Sequence, residues 1–239
     1  MRFYFFFKKI GVIGIGVLFL AQTSSLLAAG MVPQSTIIII EESDGEGSID
    51  ILNTDSFPNL LITKLQDLED DKEELITVFP PVARVEGNDT QSVRFMIIAK
   101  KNIKTERLKR VIFEGVPPKN NELNKEVNVT FTQNIPVLIR PAGLAKNLSP
   151  WELLTWKIEG NHIILKNPSP YVVRFISLNA ELLPSKQSIL LPKSYILPNQ
   201  TLRVDITKNP PASANNNIVR FYPATTWGFS NKKHYDAKI

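Results

Sequence analysis

Residues Lys125–Pro141 read KEVNVTFTQNIPVLIRP, and this stretch decides how the rest of the chain is interpreted. Val127, Val129 and Phe131 alternate with polar residues, which predicts a β-strand with one apolar face. The denser apolar run over 135–139 can be buried on both faces before the Arg-Pro pair ends the strand. Two interpretations are open at this point. The strand is an ordinary member of a sandwich core, or its apolar row is lent to another protein.

The N-terminus has the three parts of a secretory signal peptide. Basic residues precede an uninterrupted apolar run from Ile10 to Leu20, and small residues follow at Ala28 and Ala29. The run is short for a membrane span, although an uncleaved anchor is the alternative. We expect residues 1–29 to be removed by cleavage near Ala28–Gly30, which leaves a mature chain of about 210 residues that is not inserted in a membrane.

Charge and cysteine content argue against two classes of protein. The 28 basic and 23 acidic residues give a net charge of +5, and loss of three basic residues with the signal segment leaves about +2. No basic cluster indicates a nucleic-acid surface. The chain has no cysteine, so an exported protein of this sequence depends on buried apolar cores rather than disulfides. Its length is sufficient for two domains.

Residues 30–142 carry short apolar strands separated by turn residues, at the spacing of a seven-strand immunoglobulin-like sandwich. The first strand is the β-branched run Ile37–Ile40, where Ile38 and Ile40 are expected to form an edge. The acidic stretch 41–47 that follows lacks the ligand spacing of a calcium loop, and it is interpreted as a solvated turn.

A segment rich in Gly, Asn, Ser and Pro at 143–150 predicts a linker. Residues 151–239 then contain short strand candidates separated by Pro, Gly and Asn, which predict a smaller second β-sandwich. The predicted fold class is therefore all-β, with two immunoglobulin-like β-sandwich domains.

Residues suited to catalysis or metal binding are scarce. The chain has two histidines, His162 and His234, and neither lies in a motif of acid–base, nucleophilic or metal chemistry. The sequence contains no phosphate-binding glycine loop and no nucleophile elbow. We therefore expect no enzyme activity, no catalytic residue, no cofactor and no metal site.

Four motifs occur in an order and spacing that resemble one known family. They are Pro80-Pro81-Val82-x-Arg84-Val85, Gln91-x-Val93-Arg94, Glu106-Arg107 with Val116-Pro117-Pro118, and the alternating strand that ends in Ile139-Arg140-Pro141. The chain thus resembles the PapD-like periplasmic chaperones of the chaperone–usher pathway. This resemblance implies two sandwiches in an elbow arrangement and a location in the periplasm. It also implies that the chain captures pilus or fimbrial subunits and delivers them to an outer-membrane usher.

The resemblance further implies how a subunit is held. A pilus subunit lacks the last strand of its sandwich, and the chaperone supplies a strand of its own by donor-strand complementation. The residues expected at this subunit-binding site are the donor side chains Val127, Val129, Phe131 and Ile135, beside the first-strand edge at Ile38 and Ile40.

The chain departs from the family at the site for the subunit's terminal carboxylate. Most members place an Arg on the first strand and a Lys four residues before the Arg-Pro pair. The corresponding positions here are Ile37, or a neighbouring Ile, and Pro136. A carboxylate in a partly buried cleft still requires a cation, and we expect Arg94 and Lys64 to supply a relocated anchor. The alternative for both is ordinary surface or interdomain charge.

Arg140 and Glu106 match positions that tie the two domains together by an ion pair in the family. The acidic third partner that the resemblance implies in the second domain has no clear counterpart around Arg220–Pro223. We therefore expect the pair itself without predicting the complete network.

Other interpretations remain open. An exported structural or adhesive β-sandwich component of a surface assembly is favoured if the strand around Val127 is fully paired and covered within the monomer. A carbohydrate-binding module requires an exposed aromatic platform, whereas Trp151, Trp156 and Trp227 are scattered in the sequence. A free edge with an exposed apolar row also predicts weak self-association of the free chain.

Overall fold

The structure is a computed structural model that describes residues 30–100, 102–118, 132–206, 217–225 and 233–239. The signal segment 1–29, the expected donor residues Val127, Val129 and Phe131, and Trp227 lie outside the described residues. No helix found among the described residues is long and apolar enough to cross a membrane.

The described part of the first domain has nine strands. They are β1 (Met31–Pro33), β2 (Ile38–Glu41), β3 (Glu46–Asn53), β4 (Asn59–Gln66), β5 (Ile76–Phe79), β6 (Val82–Val85), β7 (Thr90–Ile97), β8 (Arg107–Val116) and β9 (Thr132–Arg140). One sheet has the order β1-β3-β7-β5, and the facing sheet has the order β2-β9-β8-β4-β6. Neighbouring strands are antiparallel, except that β2 and β9 are parallel.

The structure has nine strand segments where the sequence predicts seven strands. Two of the predicted strands are each interrupted, and the two segments of each pair with different sheets. The first strand begins as β1 beside β3 and continues as β2 beside β9. Pro80 and Pro81 donate no backbone hydrogen bond, and they separate β5 from β6. Strand β5 pairs with β7, whereas β6 pairs with β4. Each division moves the chain from one sheet to the other.

Side chains at alternate positions of the strands fill the space between the two sheets. Phe95 on β7 and Phe113 on β8 are fully buried, as are Ile40, Ile51 and Val137. Burial of an apolar side chain of this size stabilises the fold by roughly 1.5–3 kcal/mol. The first domain therefore has a continuous apolar core, as expected for a chain without cysteine.

The second domain begins with a short 3₁₀ helix at Pro150–Leu153, and its described part has nine strands. They are β10 (Thr155–Glu159), β11 (His162–Lys166), β12 (Val173–Arg174), β13 (Asn179–Leu183), β14 (Gln187–Leu190), β15 (Tyr195–Ile196), β16 (Thr201–Asp205), β17 (Ile218–Phe221) and β18 (Tyr235–Lys238). Their sheets have the orders β10-β11-β16, β12-β15 and β14-β13-β17-β18. The all-β prediction with two sandwich domains is confirmed.

Aromatic side chains form the centre of the second core. The ring centres of Trp156 and Phe221 are 5.3 Å apart, and Phe175 meets Phe221 edge-on at 5.7 Å. Trp151 and Trp156 are each 7% exposed. These two tryptophans belong to the core, so they do not form the exposed platform that a sugar-binding module requires.

An apolar cluster joins the two domains. Its buried members are Ile37, Leu68, Leu108 and Leu138 from the first domain and Val172 from the second. At the rim of this cluster, the ammonium group of Lys193 pairs with the carboxylate of Asp70. The side-chain amide of Gln200 donates to the same carboxylate at 3.1 Å. Apolar packing and a rim of polar contacts thus hold the domains together.

The turn Asn167–Tyr171 shapes the surface that the second domain presents to the first. Asn167 is fully buried, and its side-chain amide donates to the carbonyl oxygens of Tyr171 at 2.7 Å and Leu197 at 3.1 Å. The backbone N–H of Glu106 in the first domain donates to the carbonyl of Pro170 in this turn at 2.8 Å. The turn therefore fixes the start of β12 against the first domain.

Candidate functional site

Strand β9 has a free edge over its first half. It pairs with β8 from Thr132 to Ile139, but it pairs with β2 only from Val137 onward. In the part of the chain that the structure describes, no strand pairs with residues 132–136 on the β2 side. The backbone groups of this segment are therefore open to a strand from another molecule.

Ile135 is not among the side chains that β9 can donate to another protein. Its side chain is 6% exposed and lies in the first domain's core with Val111 and Val137. The structure corrects the expectation that Ile135 is a donor residue, because the chain's own core already contains this side chain. Val127, Val129 and Phe131 precede the described part of β9, and their role as donors stays a prediction.

The first-strand edge lies where the sequence predicts it. Strand β2, which contains Ile38 and Ile40, is the edge strand of its sheet. The side chains of Ile38 and Ile40 are 2% and 0% exposed and pack between the sheets, so the edge that β2 offers is its backbone. The part that this edge takes in subunit binding stays a prediction.

Arg94 and Lys64 do not come together in the structure. Arg94 lies on β7, in the sheet opposite to β9, where its guanidinium carbon is 5.8 Å from the ring centre of Phe79. Lys64 lies on β4, and its ammonium group pairs with Glu114 at 3.1 Å. The expectation that Arg94 and Lys64 together supply a relocated anchor is corrected, because Arg94 lies on the sheet opposite to β9. Lys64 is 59% exposed, and its part in holding a carboxylate stays a prediction.

Arg140 lies at the centre of a buried ionic network between the domains. Its side chain is 3% exposed, and its guanidinium group donates to Glu106 at 3.1 Å and to Glu41 at 2.8 Å. The second carboxylate oxygen of Glu106 accepts from the backbone N–H of Val172 in the second domain at 2.9 Å. The second domain therefore contributes a backbone donor where the family resemblance implies an acidic side chain.

Burial raises the pKa of Glu106, whereas the N–H of Val172 and the charge of Arg140 favour its ionised form. The expectation of a solvated turn at 41–47 is corrected at its start, because Glu41 belongs to this network. Glu42 accepts from the backbone N–H groups of Ile103 at 2.9 Å and Ala142 at 2.8 Å. This acidic pair therefore fastens the segments that flank β8 and β9.

Arg110 and Arg174, which the sequence patterns did not single out, face the cleft between the domains. Arg110 lies on β8, and its Nε donates to Asn134 Oδ1 at 2.5 Å. Arg174 lies on β12, and its Nη2 donates to the carbonyl of Thr225 at 3.0 Å. Burial lowers the pKa of both guanidinium groups, and the charge of Arg110 lowers that of Arg174 further. The sequence contains only a weak indication that these arginines lie in the cleft. Arg174 interrupts an apolar run, and Arg110 is the last residue of a basic run.

The two halves of the chain each match a described protein family. Residues 30–145 match "Pili and flagellar-assembly chaperone, PapD N-terminal domain". Residues 149–235 match "Pili assembly chaperone PapD, C-terminal domain". The chain belongs to the PapD family. The resemblance that the four sequence motifs indicated is thereby confirmed.

Named relatives of this PapD-family protein are chaperones, and one of them is named as a fimbrial chaperone. The chain is 39% identical over 217 residues to the uncharacterized fimbrial chaperone YhcA of Escherichia coli K12, with 90% of this chain and 94% of YhcA covered. It is 27% identical over 239 residues to the chaperone protein Caf1M of Yersinia pestis, with 87% and 89% covered. These relatives support the predicted role as a chaperone in pilus assembly.

Solved structures of chaperones share the fold. The YadV chaperone has a TM-score of 0.70 at 22% identity, with 87% of this chain and 99% of YadV covered. The SafB chaperone of Salmonella enterica, solved in complex with the SafA pilin, has a TM-score of 0.70 at 18% identity, with 89% and 98% covered. The two-domain sandwich fold is therefore common to this chain and to known chaperones.

Proposed function

We propose that this PapD-family chaperone holds fimbrial subunits in the periplasm by donor-strand complementation. The observation that carries the proposal is the free edge of β9 over residues 132–136, which directly follows the alternating row Val127, Val129 and Phe131. A subunit strand that pairs with this edge extends the sheet, while the apolar row fills the groove of the subunit.

Strand donation addresses two defects of an incomplete sandwich at once. A subunit without its last strand exposes an apolar groove and unpaired backbone groups, and both promote aggregation. Burial of each of the three donor side chains contributes roughly 1.5–3 kcal/mol before the cost of association. Complex formation by this route requires neither a cofactor nor a nucleotide, and it involves no catalytic step.

The proposal includes export and the limits of the two domains. Residues 1–29 have the composition of a signal peptide, and their removal releases the mature chain into the periplasm. The first domain then comprises residues 30–142 and the second residues 151–239, joined by a linker at 143–150. Separate apolar cores in the two halves support these limits.

The proposed partners are a pilin-type subunit and an outer-membrane usher. The complex of SafB with the SafA pilin supports a pilin as the ligand, and membership of the PapD family supports delivery to an usher. Release at the usher occurs when the N-terminal strand of another subunit replaces the chaperone strand.

Co-purification with charge substitutions in the donor row tests the proposal. The chain is produced in the periplasm together with the fimbrial subunits encoded beside it, and complexes are isolated through an affinity tag. We expect a 1:1 complex with the wild type. Val129→Asp places a charge in the apolar row, and we expect complex recovery to fall by about tenfold or more. Asn128→Asp places the same charge on the opposite face of the strand and retains the complex.

Two outcomes contradict the proposal. Equal recovery with wild type and Val129→Asp, with both chains folded by circular dichroism, argues against strand donation. Absence of any subunit from both preparations favours the alternative of an exported structural or adhesive sandwich protein.

A further inference from the structure

The first strand of the first domain changes its partner over a short connection. The backbone N–H of Gln34 donates to the carbonyl of Asp50 on β3 at 2.9 Å, whereas Ile38 pairs with Val137 on β9. Residues 35–37 cross between the two sheets and belong to neither β1 nor β2. Because this crossing is short, its exact position decides how much of β9 the first strand covers.

Ser35 holds the last residue of the crossing in a local turn. Its hydroxyl group donates to the carbonyl of Ile37 at 2.8 Å and accepts from the backbone N–H of the same residue at 3.3 Å. Hydrogen bonds of this kind, between a Ser side chain and nearby backbone groups, compete with the extension of a strand. The turn ends directly before β2, which begins at Ile38.

The residue of β9 that stands opposite Ile37 is a proline. The parallel register pairs Ile38 with Val137, so one step back along both strands places Ile37 beside Pro136. Pro136 has no backbone N–H and donates no ladder hydrogen bond. An extension of β2 toward the N-terminus therefore meets a closed turn on one strand and a missing donor on the other.

These two features coincide with the limit of the free edge. Because β2 pairs with β9 only from Val137 onward, residues 132–136 stay open on the β2 side. If β2 continued for two more residues in the same register, it would cover β9 as far as Ile135 and leave only 132–134 open. An unpaired edge is a template for any strand that runs beside it, and the first strand of the same chain already runs beside one end.

We propose that Ser35 is a positioning residue for strand donation: its turn, opposite Pro136, prevents the first strand from closing the edge that binds the subunit. This inference rests on the proposed strand donation and deepens it, because it identifies what keeps the donor edge open in the free chain. It also gives a role to the proline that stands where the family resemblance implies a lysine. A residue that stops a ladder leaves the fold with fewer hydrogen bonds. Its removal should therefore strengthen the fold and weaken subunit binding.

Two substitutions of similar shape test the hydroxyl group of Ser35. Ser35→Val removes the hydroxyl group and favours an extended backbone, whereas Ser35→Thr keeps the hydroxyl group on an equally branched side chain. Each is combined with Pro136→Val, which restores a backbone donor to β9. The variants are made in the full chain and produced in the periplasm with the subunits encoded beside it, and complex recovery is measured in parallel with Val129→Asp.

We expect Ser35→Val with Pro136→Val to lower recovery of the subunit complex by about tenfold, because the guest strand loses about two backbone hydrogen bonds. In the free chain, the amides that face between β2 and β9 at the newly paired residues should exchange their hydrogens about tenfold more slowly. The free energy of unfolding should not fall. Ser35→Thr with Pro136→Val should recover several times more complex than the Ser35→Val variant, because its turn is intact.

Three results overturn the proposal. Equal recovery with the two double variants, while Val129→Asp still abolishes the complex, shows that the turn does not control the edge and leaves strand donation intact. Lower recovery together with a lower free energy of unfolding and no slower amide exchange shows that the substitutions damage the fold instead of extending β2. Unchanged recovery with Val129→Asp contradicts strand donation itself, and the role of Ser35 fails with it.

Discussion

Lys109 and Arg110 are consecutive residues of β8 that face opposite sides of one sheet, and their charges have opposite environments. Lys109 is 3% exposed, and its ammonium group pairs with Asp67 at 2.9 Å and Asp71 at 3.2 Å. Arg110 faces the cleft and donates to the uncharged oxygens of Asn134. The buried cation thus has carboxylates around it, whereas the cation on the other side of the sheet donates to neutral oxygens.

Arg140 and Arg174 repeat this contrast at the boundary between the domains. Arg140 is surrounded by the carboxylates of Glu106 and Glu41, whereas Arg174 donates to a backbone carbonyl. Removing one member of a buried ion pair leaves an uncompensated charge, whereas removing a buried cation that has no carboxylate in contact also removes the cost of burying its charge. We therefore expect the Arg140 network to contribute more to stability than Arg174.

Glu106→Ala should have the largest effect on stability. The substitution leaves Arg140 buried with one carboxylate fewer and removes the acceptor of the Val172 N–H. We expect the free energy of unfolding to fall by about 3 kcal/mol, as when a buried ion pair is broken. Urea denaturation of the mature chain, followed by circular dichroism, measures the change.

Glu114→Ala is the matched control for this substitution. Glu114 also pairs with a cation, but its partner Lys64 is 59% exposed, so we expect a change within about 0.5 kcal/mol. Equal effects of the two substitutions would contradict a stabilising role for the buried network.

Alternating apolar residues predicted most of the first sandwich, because a period of two identifies the side chains that face inward. Ile38, Ile40 and Val137 are all buried in this core. The period does not mark where a strand leaves the chain's own core, which is why it groups Ile135 with the donor residues. The family-like Val93-Arg94 pair likewise does not identify the sheet to which its strand belongs, and Arg94 lies on the sheet opposite to β9.

The family resemblance predicted the pair of Arg140 and Glu106, but the other ionic partners were beyond prediction from the sequence, because they are distant along the chain. Lys109 and Asp71 are 38 residues apart, and Arg140 and Glu41 are 99 residues apart. Whether a cation acquires a partner depends on which loop folds against it. Lys109 and Arg110 therefore look alike in a basic run of sequence. The position of β9 was therefore predictable, but the partners of the cations around it were not.

Asp70→Asn should have a smaller effect, and one that depends on pH. The hydrogen bond from Lys193 lowers the pKa of Asp70 below its ordinary value, against the effect of burial. The unfolded chain then binds the proton more readily, so the stabilisation is fully present above the ordinary carboxyl pKa and is lost as pH falls through the lowered value. Because both side chains are partly exposed, we expect a contribution of about 0.5 kcal/mol.

Unfolding free energies of wild type and Asp70→Asn at several pH values test this contribution. The difference between the two chains should be largest near neutral pH and should close in strong acid. Lys193→Met should remove the same contribution, and the double variant should lose no more than either single variant. A difference that grows as pH falls would contradict the assigned direction of the pKa.

Arg174→Met should have the smallest effect on stability, although it removes an arginine from the same boundary as Arg140. The substitution removes one hydrogen bond to the Thr225 carbonyl and the attraction to Glu106. It also relieves the repulsion from Arg110 and the cost of burying a charge. These terms oppose each other, so we expect the free energy of unfolding to change by less than about 0.5 kcal/mol. Arg140→Met, measured in parallel by urea denaturation, should lose several times as much, because it leaves the buried carboxylate of Glu106 without its cation. If Arg174→Met is destabilised as strongly as Arg140→Met, then Arg174 is a structural residue, and the distinction between cations with and without a carboxylate in contact fails at the boundary between the domains.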